Sequence, residues 1–195
     1  MNNEQHRHFI ICKPDGYLSQ FINNQTKRSN KKLLGELFPF PNNTMAIGRL
    51  DQFSEGLLLL TTDGKVSEFI RSSKVEKEYL AQVDGIITDD TILKLKNGVE
   101  IGFDGTTYIT KKCKVTRIEL LPHLPKRRKK IRDDRHGPTS WISITLREGK
   151  FRQVRKMTAA VGFPTLRLVR IRIGKINLNT MNSGDIIEVK NNFLV

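Results

Sequence analysis

The chain has 195 residues, 37% of them hydrophobic and 28% charged, which is enough to bury one core and ordinary for a globular protein. Thirty-four Lys and Arg against twenty Asp and Glu leave a net charge of +14 and a pI near 10.0, a surplus that favours a polyanionic partner. No apolar run approaches the roughly 18 residues of a membrane-spanning helix. Residues 1–8 have no signal core behind them, and Cys12 and Cys113 fit no metal or redox spacing. The expectation is a cytoplasmic protein with packed thiols and no membrane contact.

In chain order, residues 9–12 read as a buried strand, closed by the turn signal Pro14-Asp15-Gly16. Residues 22–32 form a polar, basic loop, and 33–40 a short helix or turn stopped by Pro39 and Pro41. A strand at 45–50 enters a loop, and a buried strand at 57–61 leaves it. Asp63 caps a helix running to about residue 72, with Val66, Phe69 and Ile70 at helical spacing. A strand at 79–83 ends at Asp84-Gly85, and an amphipathic helix over 88–97 stops at Gly98. Short strands follow through residue 121, then an irregular basic stretch over 122–140. Residues 141–146 alternate, with Ile142, Ile144 and Leu146 on one face and Ser143 and Thr145 on the other. A turn at Glu148-Gly149 leads to a helix over 152–161 that carries Val154, Met157 and Val161 inward. Strands at 165–173 and 185–190 complete the chain. Strands outnumber helices without repeating as βαβ units, so the predicted fold is α+β, a mixed, mostly antiparallel sheet with flanking helices.

Four segments carry candidate chemistry. The first, GRLDQFSEG at 48–56, holds Asp51 in a loop between two apolar strands with Arg49 beside it. From the residues alone, Asp51 and Glu55 read as turn caps paired with Arg49, or Asp51 reads as a catalytic group on a loop fixed by buried strands. The second spans Lys150, Arg152, Arg155, Lys156, Arg167, Arg170, Arg172 and Lys175, with no acidic residue between. A solvated face usually mixes signs, so this cluster reads as a phosphate-binding surface, with Arg152, Arg155 and Lys156 on the outer face of a helix. The third is Tyr79 at a strand start, either a rim residue or a ring that stacks on a base. The fourth is the run Lys126, Arg127, Arg128, Lys129 and Lys130, either a solvated loop or an RNA-gripping one. No phosphate-binding loop, zinc spacing or nucleophile elbow occurs, and neither a metal nor an organic cofactor is implied.

In this order, GRLDQFSEGLLLLTTDG, KEYLAQVDG and REGKFRQVRKMTAAVGFPTLRLVRIRIG resemble the motifs of bacterial pseudouridine synthases acting on ribosomal RNA. The branch is the one that includes the small-subunit synthase A. Within it, PTSWISITLREGKFRQVRKMTAAVGFPTLRLVR is similar to the large-subunit (23S) synthase E type. The resemblance runs from about residue 10 to 188. It implies a single catalytic domain of pseudouridine synthase type over 1–195, in one or two lobes, without the small S4-like RNA-binding domain that precedes it in many relatives. It implies that Asp51 is the essential carboxylate and that Tyr79 stacks on the target base and is a candidate for removing the C5 proton. Lys150 would pair with Asp51 and keep it ionised and aimed. Leu168 would pack against the uracil and Arg49 would open the RNA stack. Arg152, Gln153, Arg155, Lys156, Arg170 and the basic loop would hold the substrate. The implied activity is isomerisation of a uridine in large-subunit ribosomal RNA by a monomer. The alternatives are the same chemistry on another RNA, or a non-catalytic RNA-binding assembly factor.

Overall fold

Residues 55–61 are apolar almost throughout because they run through the middle of a sheet covered on both faces. The structure, a computed structural model, describes residues 6–22, 31–72, 75–103, 105–127, 129–132 and 134–190. Among them the strands are β1 (His8–Lys13), β2 (Met45–Ile47), β3 (Glu55–Thr61), β4 (Lys77–Asp84), β5 (Glu100–Phe103), β6 (Thr106–Ile109), β7 (Lys114–Ile118), β8 (Thr139–Leu146), β9 (Thr165–Ile173), β10 (Ile176–Asn177) and β11 (Ile186–Val189). The α-helices are α1 (Gly64–Arg71), α2 (Asp89–Asn97) and α3 (Gln153–Ala160), with single 3-10 turns at Leu34–Glu36 and Asp134–His136. The main sheet runs β11-β1-β3-β9-β4-β8-β7, with β2 added to β3 and β10 to β9; β5 and β6 form a separate hairpin. Every pairing among these strands is antiparallel except β3 with β9, where Glu55 and Gly56 lie opposite Val169 and Arg170. The fold is therefore the predicted mixed, mostly antiparallel α+β class. None of the described helices is long and apolar enough to cross a membrane.

The helix ends follow the local chemistry of the sequence. The Asp63 carboxylate accepts from the Lys65 and Val66 amides at the start of α1, and the Thr88 hydroxyl accepts from the Thr91 amide at the start of α2. Gly98 ends α2 at φ +102, where a Cβ would meet the Thr110 carbonyl. Arg152 is not the first helical residue; it caps α3 in the left-handed region, φ 52 and ψ 31, which costs an arginine about 1 kcal/mol or more.

Both faces of the sheet are buried. Ala81, Ile142, Ile144 and Leu168 pack under Leu95 and Met157 of α2 and α3 on one side. Leu57, Leu59 and Val169 pack with Ile70 of α1 on the other, and Phe9, Leu58 and Leu60 meet Leu34 and Leu50. The expected alternation of β8 is only half kept. Ser143 and Thr145 are also buried, and the Ser143 hydroxyl donates to Glu78 at 2.8 Å. The two-residue β10 is too short to carry a sequence pattern.

Candidate active site

Asp51 opens a four-residue turn, 51–54, at the end of the segment that links β2 to β3, closed by the Ser54 amide donating to the Asp51 carbonyl at 3.0 Å. Neighbouring segments clamp this turn. The Ser19 hydroxyl donates to the Leu50 carbonyl at 2.9 Å and accepts from the Leu50 amide at 3.0 Å. The Gly16 amide donates to the Gln52 carbonyl at 2.8 Å. Lys13, fully buried at the end of β1, donates to the carbonyls of Pro14, Tyr17 and Gln52 at 2.8, 2.6 and 3.3 Å. On the far side, Arg155 donates to the Thr165 carbonyl at 3.0 Å, the Phe53 carbonyl at 3.2 Å and the Ser54 hydroxyl at 3.4 Å. A loop held this way presents its carboxylate with little conformational freedom.

Two guanidinium groups face that carboxylate. Arg152 Nη1 lies 3.5 Å and Arg155 Nε 3.7 Å from Asp51 Oδ2. These are ion-pair distances and too long for strong hydrogen bonds, so the Asp51 lone pairs stay available in a small cavity of about 60 Å³. Arg49, Tyr79, Lys150, Gln153 and Leu168 line the same cavity. Six of the sequence-predicted site residues thus meet Asp51 around one space: Arg49, Tyr79, Lys150, Arg152, Gln153 and Leu168. A register shift between Glu78 and Tyr79 sets Tyr79 directly across from Arg170, whose guanidinium lies 5.9 Å from the ring centre.

Several expected roles need correction. Lys150 is not an ion-pair partner of Asp51; its ammonium lies 4.7 Å from the centre of the Tyr108 ring, and Arg152 and Arg155 take the pairing. Arg155 is not on an outer face, for its side chain is 13% exposed and turned onto the Asp51 loop. Lys156 donates to the Gly102 carbonyl at 2.6 Å and stacks on Phe103 at 3.7 Å, which ties α3 to the β5–β6 hairpin. Arg170 is buried under Tyr79 and donates to the Leu57 carbonyl at 2.7 Å. Arg167 clasps Glu55 at 3.0 Å, and Arg172 clasps Glu78 at 2.8 Å. Within the basic run, Arg127 is anchored inward by Asp15 and Glu55, both at 2.8 Å. Lys126, Lys129 and Lys130 are exposed, and Arg128 lies outside the described residues.

The sequence reading missed Lys13 and Glu148. Glu148 accepts from the Tyr108 hydroxyl at 2.6 Å, the Lys111 amide at 3.0 Å and the Gln153 side chain at 2.6 Å, and so fixes the turn before α3. Its only sequence signal is an acidic residue before the glycine turn. Lys13 had a clearer one, a lysine closing a fully apolar strand. Burial pulls its amine down from 10.5 to about 7, against the opposing pull of Asp15, Glu55 and Asp51. Between those two values the unfolded chain binds a proton that the folded chain lacks, so this group makes stability rise with pH. Lys13→Met should remove a rise of up to about 1 kcal/mol per pH unit from denaturant unfolding between neutral and mildly alkaline pH. Lys77, pulled down to about 8, leaves a smaller rise of the same sign. A variant whose stability climbs with pH as steeply as the parent's would show that Lys13 is not the group titrating.

A carboxylate with free lone pairs, in a cavity lined by a tyrosine and a leucine, suits proton transfer or nucleophilic attack on a planar ring. The profile of the RNA pseudouridylate synthases matches residues 7–160. The chain belongs to that family. This pseudouridine synthase is 41% identical over 191 residues to the ribosomal large subunit pseudouridine synthase E of Vibrio parahaemolyticus, covering 95% of this chain and 75% of that protein. It is 40% identical over 177 residues to the synthase E of Xanthomonas campestris, covering 90% and 91%. Its fold matches a crystal structure of a pseudouridylate synthase with a TM-score of 0.76 at 25% identity, over 100% of this chain and 74% of that one.

Proposed function

We propose that this synthase isomerises a uridine of large-subunit ribosomal RNA, with Asp51 as its reactive carboxylate. The observation that carries the reading is the unbonded Asp51 carboxylate between Arg152 and Arg155 in a cavity walled by Tyr79 and Leu168. The large-subunit target is supported by the names of the synthase E relatives. The likeness to the small-subunit synthase A branch rests on the motifs alone. Extrusion of the base costs a few kcal/mol, offset by the Tyr79 ring and by Arg49 at the cavity's exposed side. Asp51 then assists rupture of the bond between N1 and the ribose. The base turns and rejoins through C5, whose proton passes to the Tyr79 oxygen as that hydroxyl gives up its own proton, and N1 ends protonated. The sum is the transfer of one proton from C5 to N1, with no reagent consumed. Lys126, Lys129 and Lys130 are the part of the basic run left to meet phosphate.

Purified protein should convert one uridine in naked large-subunit RNA and do so poorly in assembled ribosomes, where the RNA has little room to release a base. Pseudouridine mapping after reaction, and in cells with and without the gene, reads this directly. Equal activity on mature ribosomes, or a preference for small-subunit or transfer RNA at the same salt, would overturn the target. Tyr79→Phe keeps the ring and loses the hydroxyl, so RNA should bind as before while release of the C5 hydrogen slows by about 100-fold. A Phe variant at the parental rate would leave Tyr79 a stacking platform alone.

A further inference from the structure

A second cavity, about 430 Å³, opens beside the one that holds Asp51. The two share Leu146 and Glu148 as wall residues, so they adjoin along the surface. Lys111, Lys112, Lys114 and Arg147 line this second space, against two carboxylates, Glu76 and Glu148. Both carboxylates are already committed to the protein. Glu148 holds Tyr108, the Lys111 amide and Gln153, and Glu76 holds Arg172 and Arg147, each at 3.3 Å. The cations are far less engaged. Among the described residues the ammonium groups of Lys111 and Lys112 have no carboxylate partner, and both side chains are exposed. Lys114, 80% exposed, comes no closer than 3.9 Å to Glu76, and Arg147, which reaches Glu76 at 3.3 Å, is still 67% exposed. The wall also lies at the end of the main sheet, where β7 has no further described strand outside it.

A base taken into the Asp51 cavity remains attached to a strand, and the phosphates next to it must leave along some surface. Of the eight basic residues between 150 and 175, Arg155, Arg167, Arg170 and Arg172 are turned onto carboxylates or backbone carbonyls. The stretch that gave the sequence its strongest phosphate signal therefore supplies about half of the free charge it promised. The groove adds to it, from residues that the sequence places among short strands without marking them as a site. We propose that the groove lined by Lys111, Lys112, Lys114 and Arg147 carries the phosphates of the RNA strand on one side of the target uridine. This rests on the proposed function and adds the path of the substrate to it.

The test is the triple variant Lys111→Gln/Lys112→Gln/Lys114→Gln, measured by filter binding to a labelled large-subunit RNA transcript over a salt series. The dissociation constant at low salt should rise by about tenfold or more, and the slope of log affinity on log salt should become shallower by about 0.7 for each phosphate no longer neutralised. The corresponding Lys→Arg triple should keep the parental slope, because it keeps the charge. Lys65→Gln/Lys94→Gln/Lys190→Gln, exposed on α1, on α2 and after β11, should bind as the parent does. Equal melting temperatures exclude a folding defect. An unchanged slope in the groove triple, or the same loss from the distant triple, would overturn the proposal. The reading of function fails separately, by absence of pseudouridine in large-subunit RNA treated with the parent protein, whereas the groove is decided by the slope alone.

Discussion

Asp51→Asn is expected to reduce pseudouridine formation by on the order of 1,000-fold or more while the protein stays folded and binds RNA as before. The amide has the shape of the carboxylate and lacks its charge and basicity. No hydrogen bond to the Asp51 side chain occurs among the described residues, since the two guanidinium groups stand off at 3.5 and 3.7 Å. The turn is clamped through its backbone, by Ser19, Gly16, Lys13 and Arg155. Exchange of the side chain therefore leaves the architecture standing. Removing a negative charge beside a polyanion does not weaken binding. Single-turnover release of the uridine C5 hydrogen is the measurement, paired with a melting curve and a binding isotherm. Turnover within tenfold of the parent would remove Asp51 from the reaction.

Gly56→Ala should be the most damaging change of a single methyl group. Gly56 lies at the parallel junction of β3 with β9, directly after the loop of Asp51, at φ +97. A Cβ at this position would stand 2.4 Å from the Arg170 carbonyl oxygen and 2.9 Å from a Val169 methyl. The obstacle is the backbone of a buried central strand, which cannot swing aside as a flexible side chain would. The backbone strain and the overlap together should destabilise by about 4 kcal/mol or more, a large part of the stability of an ordinary domain. At this chain length that corresponds to a fall in melting temperature of roughly 10 °C or more, or to insoluble protein. Gly64→Ala is the control. Gly64 begins α1, and a methyl group there would have nothing within 4 Å, so Ala should be neutral or slightly stabilising. A Gly56→Ala protein melting within about 2 °C of the parent would mean that β3 and β9 can separate freely.

Local chemistry was readable wherever it is written in neighbouring residues. The cap at Asp63, the stop at Gly98, the apolar run of β3 and the inward face of α3 depend on residues within a few positions of one another. The ordered motifs also brought Asp51, Tyr79, Lys150 and Leu168 to attention, and these four line one cavity. What failed was the assignment of charge. Arg167 pairs with Glu55 and Arg172 with Glu78 across gaps of 112 and 94 residues, and Arg127 reaches back 112 residues to Asp15. A one-sided run of positive residues looks exposed until carboxylates from distant strands close on it.

By itself, then, the sequence determined where most strands and helices form, with bounds that shift by a few residues as at the strand expected over 45–50, which ends at Ile47, and which family's motifs the chain carries, because hydrophobic period, capping and motif spacing are short-range properties. Only the tertiary structure decided which cations face Asp51, that Lys150 rests on Tyr108 instead, and that a groove at Lys111, Lys112 and Lys114 adjoins the cavity. The physical reason is range. An ion pair or a cation over a ring requires atoms within about 4–6 Å, and strand order in a mixed sheet sets those distances independently of separation along the chain.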